Sequence, residues 1–402
     1  MLFPSDLAQL TGGQHGIQAL REEWKRRLPG VLQPFLTWLS GYAYRGQQPL
    51  FPGKPWWVMV LMPVLLVAGG VLAVFVIVEH GGWTWLGLPF AWMAVVSGAR
   101  TLQVQTFHQA VHGVLSGKAW LDRAITETLS TMICSQDFTA YRRDHAEIHH
   151  PTLASDEDPD KQFVIEVLKI EPGQTVEENR RLFWAALCSP RIHLVFLLGR
   201  LKANFVTAPP IRRLMSVVWW ASVAATVLAH GMLWPLFLSF LLPQSLGYQA
   251  SAVSQFLTEH LWFQMHLPGQ SARQHHQSLL VNRHLGDWLP SPELQGLEWI
   301  REWLRWWTRL LTYHLFIRTT VLVGDLPVHG THHLVPKDRG WTSAIFRSRE
   351  LLAKAEGVPL QLIGSFGDML AKVFESFAAS PRLRPSESAM NFQATLAVAT
   401  GM

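Results

Sequence analysis

The chain has 402 residues, of which 49% are apolar and only 16% charged, too little charge for an ordinary water-exposed surface. Its net charge of +5 is modest, and cationic segments beside anionic headgroups account for it without nucleic acid. The two cysteines, Cys134 and Cys188, speak against a disulfide framework and a zinc ribbon.

The first residues, MLFPSDLAQLTGG, lack a basic start followed by an apolar core, so no cleaved signal peptide is expected. Residues 1–54 read as a cytoplasmic approach, with an amphipathic piece over 31–44 lying on the membrane. The uncharged run at 56–78 exceeds the roughly 20 residues that cross a bilayer. Similar runs follow at 83–99, 214–229 and 232–253. They form two hairpins, turning at His80-Gly81-Gly82 and at His230-Gly231, and neither turn holds Lys or Arg. The remaining segments do, including Arg21, Lys25, Lys54, Arg100, Arg123, Arg200 and Arg212. By the positive-inside rule both termini and the large middle segment are cytoplasmic.

Residues 99–133 contain no Pro and continue the second span as helix into the cytoplasm. An acidic loop follows at 155–160, then an interfacial helix at 193–206. The stretch 297–323 is rich in Trp and Arg. It reads as a helix in the interface plane, since Arg301, Glu302, Arg305 and Arg309 are costly at mid-bilayer. Residues 379–402 read as a loosely ordered tail.

Three histidine groups carry the chemistry: His108-x3-His112, His145-x3-His149-His150 and His329-x2-His332-His333. All fall on the predicted cytoplasmic side, as one shared metal site requires. On an α-helix, residues three or four apart share a face, with Cβ atoms ~6 Å apart. Eight imidazoles are more than one zinc uses, and they suit two transition-metal ions. Ligating imidazoles need partners for their second nitrogen, and Asp144, Glu147 and Asp325 stand nearby in sequence. Glu147-x2-His150 matches half of a carboxylate di-iron motif, but no second copy occurs, so an imidazole-dominated site fits better.

This pattern resembles the three histidine boxes of the membrane-bound fatty acid desaturase and hydroxylase family. The likeness extends to His149-His150-Pro-Thr-Leu-Ala-Ser-Asp-Glu-Asp158-Pro159-Asp160 and to His332-His333-Leu-Val-Pro336, and covers roughly residues 50–355. It implies an all-α integral membrane protein. Four transmembrane helices in two hairpins would carry a cytoplasmic helical cap holding a histidine-rich di-iron site. The desaturase-like domain would span 55–355, between a cytoplasmic N-terminal segment, 1–54, and a C-terminal cytoplasmic tail, 356–402. Box by box, the ligands of two iron ions would be His108, His112, His145, His149, His150, His329, His332 and His333. Members often add a histidine soon after the fourth span. His260 occupies that place, with His266 as the fallback, although a long stretch holding His275, His276 and His284 separates His260 from His329.

The resemblance implies O2-dependent hydrogen abstraction from an unactivated C–H bond of a lipid substrate, at the bacterial inner membrane. Desaturation of a fatty acyl chain is the first expectation. Hydroxylation of an alkyl, acyl or terpenoid chain and alkene-forming decarboxylation of a fatty acid are the alternatives. Outside enzymes, an iron-binding membrane protein is the competing class; a transporter fits poorly, because the predicted spans contain no Asp, Glu, Lys or Arg. The chain has too few cysteines for an iron–sulfur or rubredoxin centre and no Gly-rich dinucleotide fingerprint. An external ferredoxin or rubredoxin with a reductase is therefore implied. It could dock on the basic surface near Arg142, Arg143, Lys161 and Lys337.

Overall fold

The computed structural model describes residues 14–354 and 360–382. The N-terminal stretch MLFPSDLAQLTGG and the tail beyond residue 382 lie outside the described residues. The chain is mostly helical and divides into two compact units. One comprises Met1–Lys54 and Thr258–Val373, the other Pro55–Leu257 and Phe374–Met402.

In the Pro55–Leu257 unit, the helices Trp56–His80 and Pro210–Ala229 are long and apolar enough to cross a membrane. A third candidate exists only if Val176–Cys188 and Pro190–Phe205, bent by 61°, count as one. The bend falls where Ser189 caps the second helix and Pro190 opens it, since Pro cannot continue the preceding helical hydrogen bonds. The other two expected spans are helical but interrupted. A 3-10 turn, Gly82–Gly87, precedes the helix Leu88–Thr101. Leu233–Leu236 runs through π-helical segments Phe237–Leu241 and Pro243–Gly247 into Tyr248–Glu259.

Glycines let the first two helices approach closely. A Cβ on Gly70 would lie 2.7 Å from the Ala91 carbonyl oxygen, and one on Gly98 would lie 2.6 Å from that of Pro63. Small residues at such crossings let backbones pack where lipid gives no hydrophobic drive between helices. Val74, Ile77, Ala91 and Leu238 form one buried cluster here, and Ala99, Leu102, Phe107 and Tyr248 belong to another. Arg100 is fully buried and donates to Ser251 Oγ (3.1 Å) and Gln255 Oε1 (2.6 Å). The helix expected across 99–133 is instead broken after Val111. Gly113 and Gly117 take φ of +74° and +77°, a region that suits glycine. A new helix, Ala119–Met132, starts beyond them. Arg212, buried at the base of Pro210–Ala229, joins this helix through Glu127 (3.1 Å) and Pro190–Phe205 through Asn204 Oδ1 (2.8 Å).

The Thr258–Val373 unit contains the departure from an all-helical chain. Val281–Arg283 and Gln361–Ile363 pair in parallel, Val281 opposite Gln361 and Arg283 opposite Ile363. Three residues are too few for a sequence period to reveal. The Trp- and Arg-rich stretch forms the helix Gly296–Arg309, continued by π-helical Leu310–His314 and by Leu315–Thr320. Trp306 and Leu310 are buried, whereas Leu297, Ile300, Leu304 and Leu311 form an exposed apolar stripe beside exposed Arg301 and Arg305. Arg318 does not reach outward. It is buried and donates to the carbonyls of Trp38 (2.7 Å) and Gly324 (2.8 Å) and to that of Leu322.

Candidate metal centre

Four of the expected histidines converge within the Pro55–Leu257 unit. Leu88–Thr101 passes through π-helical Leu102–Phe107 into His108–Val111, and the His108 and His112 rings stand 5.0 Å apart. The second group begins at Asp137, whose Oδ1 accepts from the backbone N–H of Thr139 and Ala140. Beyond Tyr141 the chain winds as a π-helix, Arg142–His149, and the His150 N–H donates to the His145 carbonyl at 3.1 Å. This winding brings residues five apart into register, and such segments are frequent at functional sites. His145 and His150 therefore meet, Nε2 to Nε2, at 3.1 Å. The His149 ring is stacked beside that of His145 as well, its centroid 5.3 Å away, as the spacing of four suggested. The ligand nitrogens of His108, His112, His145 and His150 lie within 4.8 Å of one another.

His149 is turned toward carboxylates. Its Nδ1 lies 2.9 Å from Asp158 Oδ1 and 3.5 Å from Asp160 Oδ2, with His149 and Asp158 fully buried. Asp158 caps the short helix Pro159–Gln162 and also accepts from the Ala154 N–H at 2.7 Å, where Ala154 holds φ +58°. The acidic loop is thus a folded brace for one imidazole. Burial, then the neighbouring His108, His150, His112 and His149, push His145 well below the usual imidazole range. It is neutral near pH 7, as ligation requires.

The other unit gathers a second set. A 3-10 turn, Leu326–Val328, leads into His329–Leu334. This helix lies on the strand Val281–Arg283 so closely that a Cβ on Gly330 would sit 2.8 Å from the Val281 carbonyl. Asn282 completes the clamp, accepting from the Thr331 N–H (3.0 Å) and donating to Thr331 Oγ1 (2.8 Å). His260 is held by an antiparallel bridge to Leu280. His329 and His333 face each other at 3.0 Å between Nε2 atoms, and the ligand nitrogens of His260, His329 and His333 lie within 4.8 Å of one another. His332 is half-buried on the same helix, its ring stacked on His329 at 5.7 Å. His266 stands apart: it is exposed, with its ring 4.9 Å from that of His275.

Two of the carboxylates expected to orient the imidazoles, Asp144 and Glu147, bond other side chains. Asp144 bonds Gln136 and Arg143, and Glu147 is exposed and bonds Arg142. Asp325 acts electrostatically on Arg318. Asp158 and Asp160 meet His149, and Glu259 Oε1 lies 2.7 Å from His329 Nε2. Only position hinted at Glu259, which directly precedes His260. Three of the four cations considered for carrier docking are also compensated: Arg142 by Glu147 (3.0 Å), Arg143 by Asp144 (2.9 Å) and Lys161 by Asp156 (2.9 Å).

Four imidazoles in one unit and three in the other are donors that suit iron among the first-row metals. Such clusters define a histidine-rich helical protein with side chains that could hold metal ions. Residues 83–344, well over half of the chain, match the family described as Fatty acid desaturase, and the chain belongs to that family. Membership places it among oxidoreductases acting on fatty acyl chains. No curated protein matches it.

Proposed function

We propose that this protein is an O2-dependent di-iron oxidoreductase that introduces a double bond into a fatty acyl chain. The observation that carries the reading is the gathering of histidines from the matched region into a buried or half-buried cluster within each unit. One iron would be held by His108, His112, His145 and His150 and another by His260, His329 and His333, with His149 and His332 as further ligands. Iron bound there would supply the oxygen-activating chemistry that side-chain acids and bases lack. The chain itself would keep His145 neutral by burial and orient His149 through Asp158. It would also confine the acyl chain so that one methylene reaches the reactive position.

The membrane arrangement we propose has four spans in two hairpins, with both termini and the active site on the cytoplasmic side of a bacterial inner membrane. The interrupted helices Leu88–Thr101 and Leu233–Leu236 onward would pair with Trp56–His80 and Pro210–Ala229, respectively. The Gly296–Arg309 helix would lie at headgroup level, its exposed apolar stripe toward the acyl chains and Arg301 and Arg305 toward phosphates. Electrons would come from an external ferredoxin or rubredoxin with its reductase.

The test is mass spectrometry of lipids from a bacterial host expressing the full chain with a ferredoxin and reductase, against a His149→Ala control. A product lighter by two hydrogens supports desaturation. A gain of one oxygen assigns hydroxylation, and an alkene shorter by one carbon assigns decarboxylation. Membrane-inserted protein that binds no iron overturns the reading.

A further inference from the structure

Asp158 and Glu259 are both buried and both touch a cluster histidine, but at different nitrogens. Asp158 meets Nδ1 of His149, the position from which an outer carboxylate orients a ring. Glu259 meets Nε2 of His329, the atom that His329 also turns toward His333 Nε2 at 3.0 Å. A carboxylate there stands on the ligand side of the ring rather than behind it.

Resting on the iron reading above, we propose that Glu259 is itself a metal ligand, completing with His260, His329 and His333 a set of three imidazoles and one carboxylate. Charge favours this assignment. Imidazoles alone leave the full charge of a buried cation uncompensated, whereas one carboxylate offsets half of a divalent ion's charge without a second anion. Arg283 is fully buried, donating to Leu326 O at 3.2 Å and Thr258 Oγ1 at 3.3 Å. The backbone fixes Glu259 by placing it at the end of the helix Tyr248–Glu259, one residue before the His260–Leu280 bridge. The two clusters would then differ in kind, one wholly imidazole and one mixed.

The experiment compares iron content, chelator-release rate and Mössbauer spectra of the full-length wild type, Glu259→Gln, Glu259→Asp and His329→Ala. Thermal unfolding serves as the folding check. The expected result is that Glu259→Gln alters the spectrum of one iron and speeds its release at least ~10-fold, with partial restoration by Glu259→Asp. Unchanged spectra and release in Glu259→Gln overturn the proposal while leaving the iron reading intact; wild type without iron overturns the iron reading itself. If Glu259→Gln fails to fold, a density map of iron-loaded wild type decides. A Glu259 oxygen bonded to the metal is expected, and a carboxylate turned away from it overturns the assignment.

Discussion

His149 and Asp158 are joined, Nδ1 to Oδ1, at 2.9 Å with both side chains out of solvent. Asp158 also accepts backbone N–H groups from Ala154 and Asp160, so its carboxylate is anchored before it meets the ring. Asp158→Asn keeps the shape and removes the charge. It should weaken iron retention by about 10- to 100-fold, read as chelator competition on purified protein. Retention equal to wild type would leave the carboxylate with a packing role alone.

The two clusters draw on separate histidines, so their losses should be separable. His150→Ala and His333→Ala should each leave about half of the wild-type iron, because each removes a donor from one cluster and not from the other. Metal analysis of membranes solubilised in mild detergent reads this directly. Complete loss from either single variant would show that neither ion binds without the other.

Gly98 passes the Pro63 carbonyl so closely that a Cβ would lie 2.6 Å from its oxygen and 2.7 Å from Val67 Cγ2. Gly98→Val should therefore cost about 1–3 kcal/mol through overpacking, visible as a lower unfolding temperature. Gly69 has nothing within 4 Å of an added Cβ. Gly69→Val is the control and should change little.

His284 is fully buried against Tyr42, its ring centroid 4.9 Å away, and burial lowers its pKa to about 4 even though the Ser40 and Gly41 backbone acts in the opposite direction. A folded pKa below the unfolded value means that the unfolded chain binds the proton more readily. This residue's contribution is fully present above about pH 6.5 and is lost as pH falls toward 4, by about 3 kcal/mol at most. His284→Leu should flatten that part of the acid dependence of the unfolding temperature. An identical slope in the variant would assign the acid sensitivity to other groups.

Much of the framework was legible because its signals are long or repeated. Uncharged runs mark Trp56–His80 and Pro210–Ala229, and the spacing of the histidines marked which residues to watch. The spacing could not show the winding. His-x3-His-His reads the same on an α-helix as on the π-helix Arg142–His149, yet it is the π-helical winding that brings His150, five residues on, against His145. The break at Gly113 and Gly117 was legible in principle but yielded to an absence of Pro. Glu259 gave no spacing signal at all, since a single carboxylate acquires meaning only once His329 is brought beside it.

The strand Gln361–Ile363 contains no histidine and lies far along the chain from every one of them, yet it splints the strand on which Gly330, Thr331 and their flanking imidazoles are seated. A chain shortened just before Gln361 would keep every histidine of the three groups and lose the support that aligns the last one. The minimal catalytic unit is therefore longer than the motif that advertises it, and a truncation designed from the motif alone would preserve the letters while dismantling the grip.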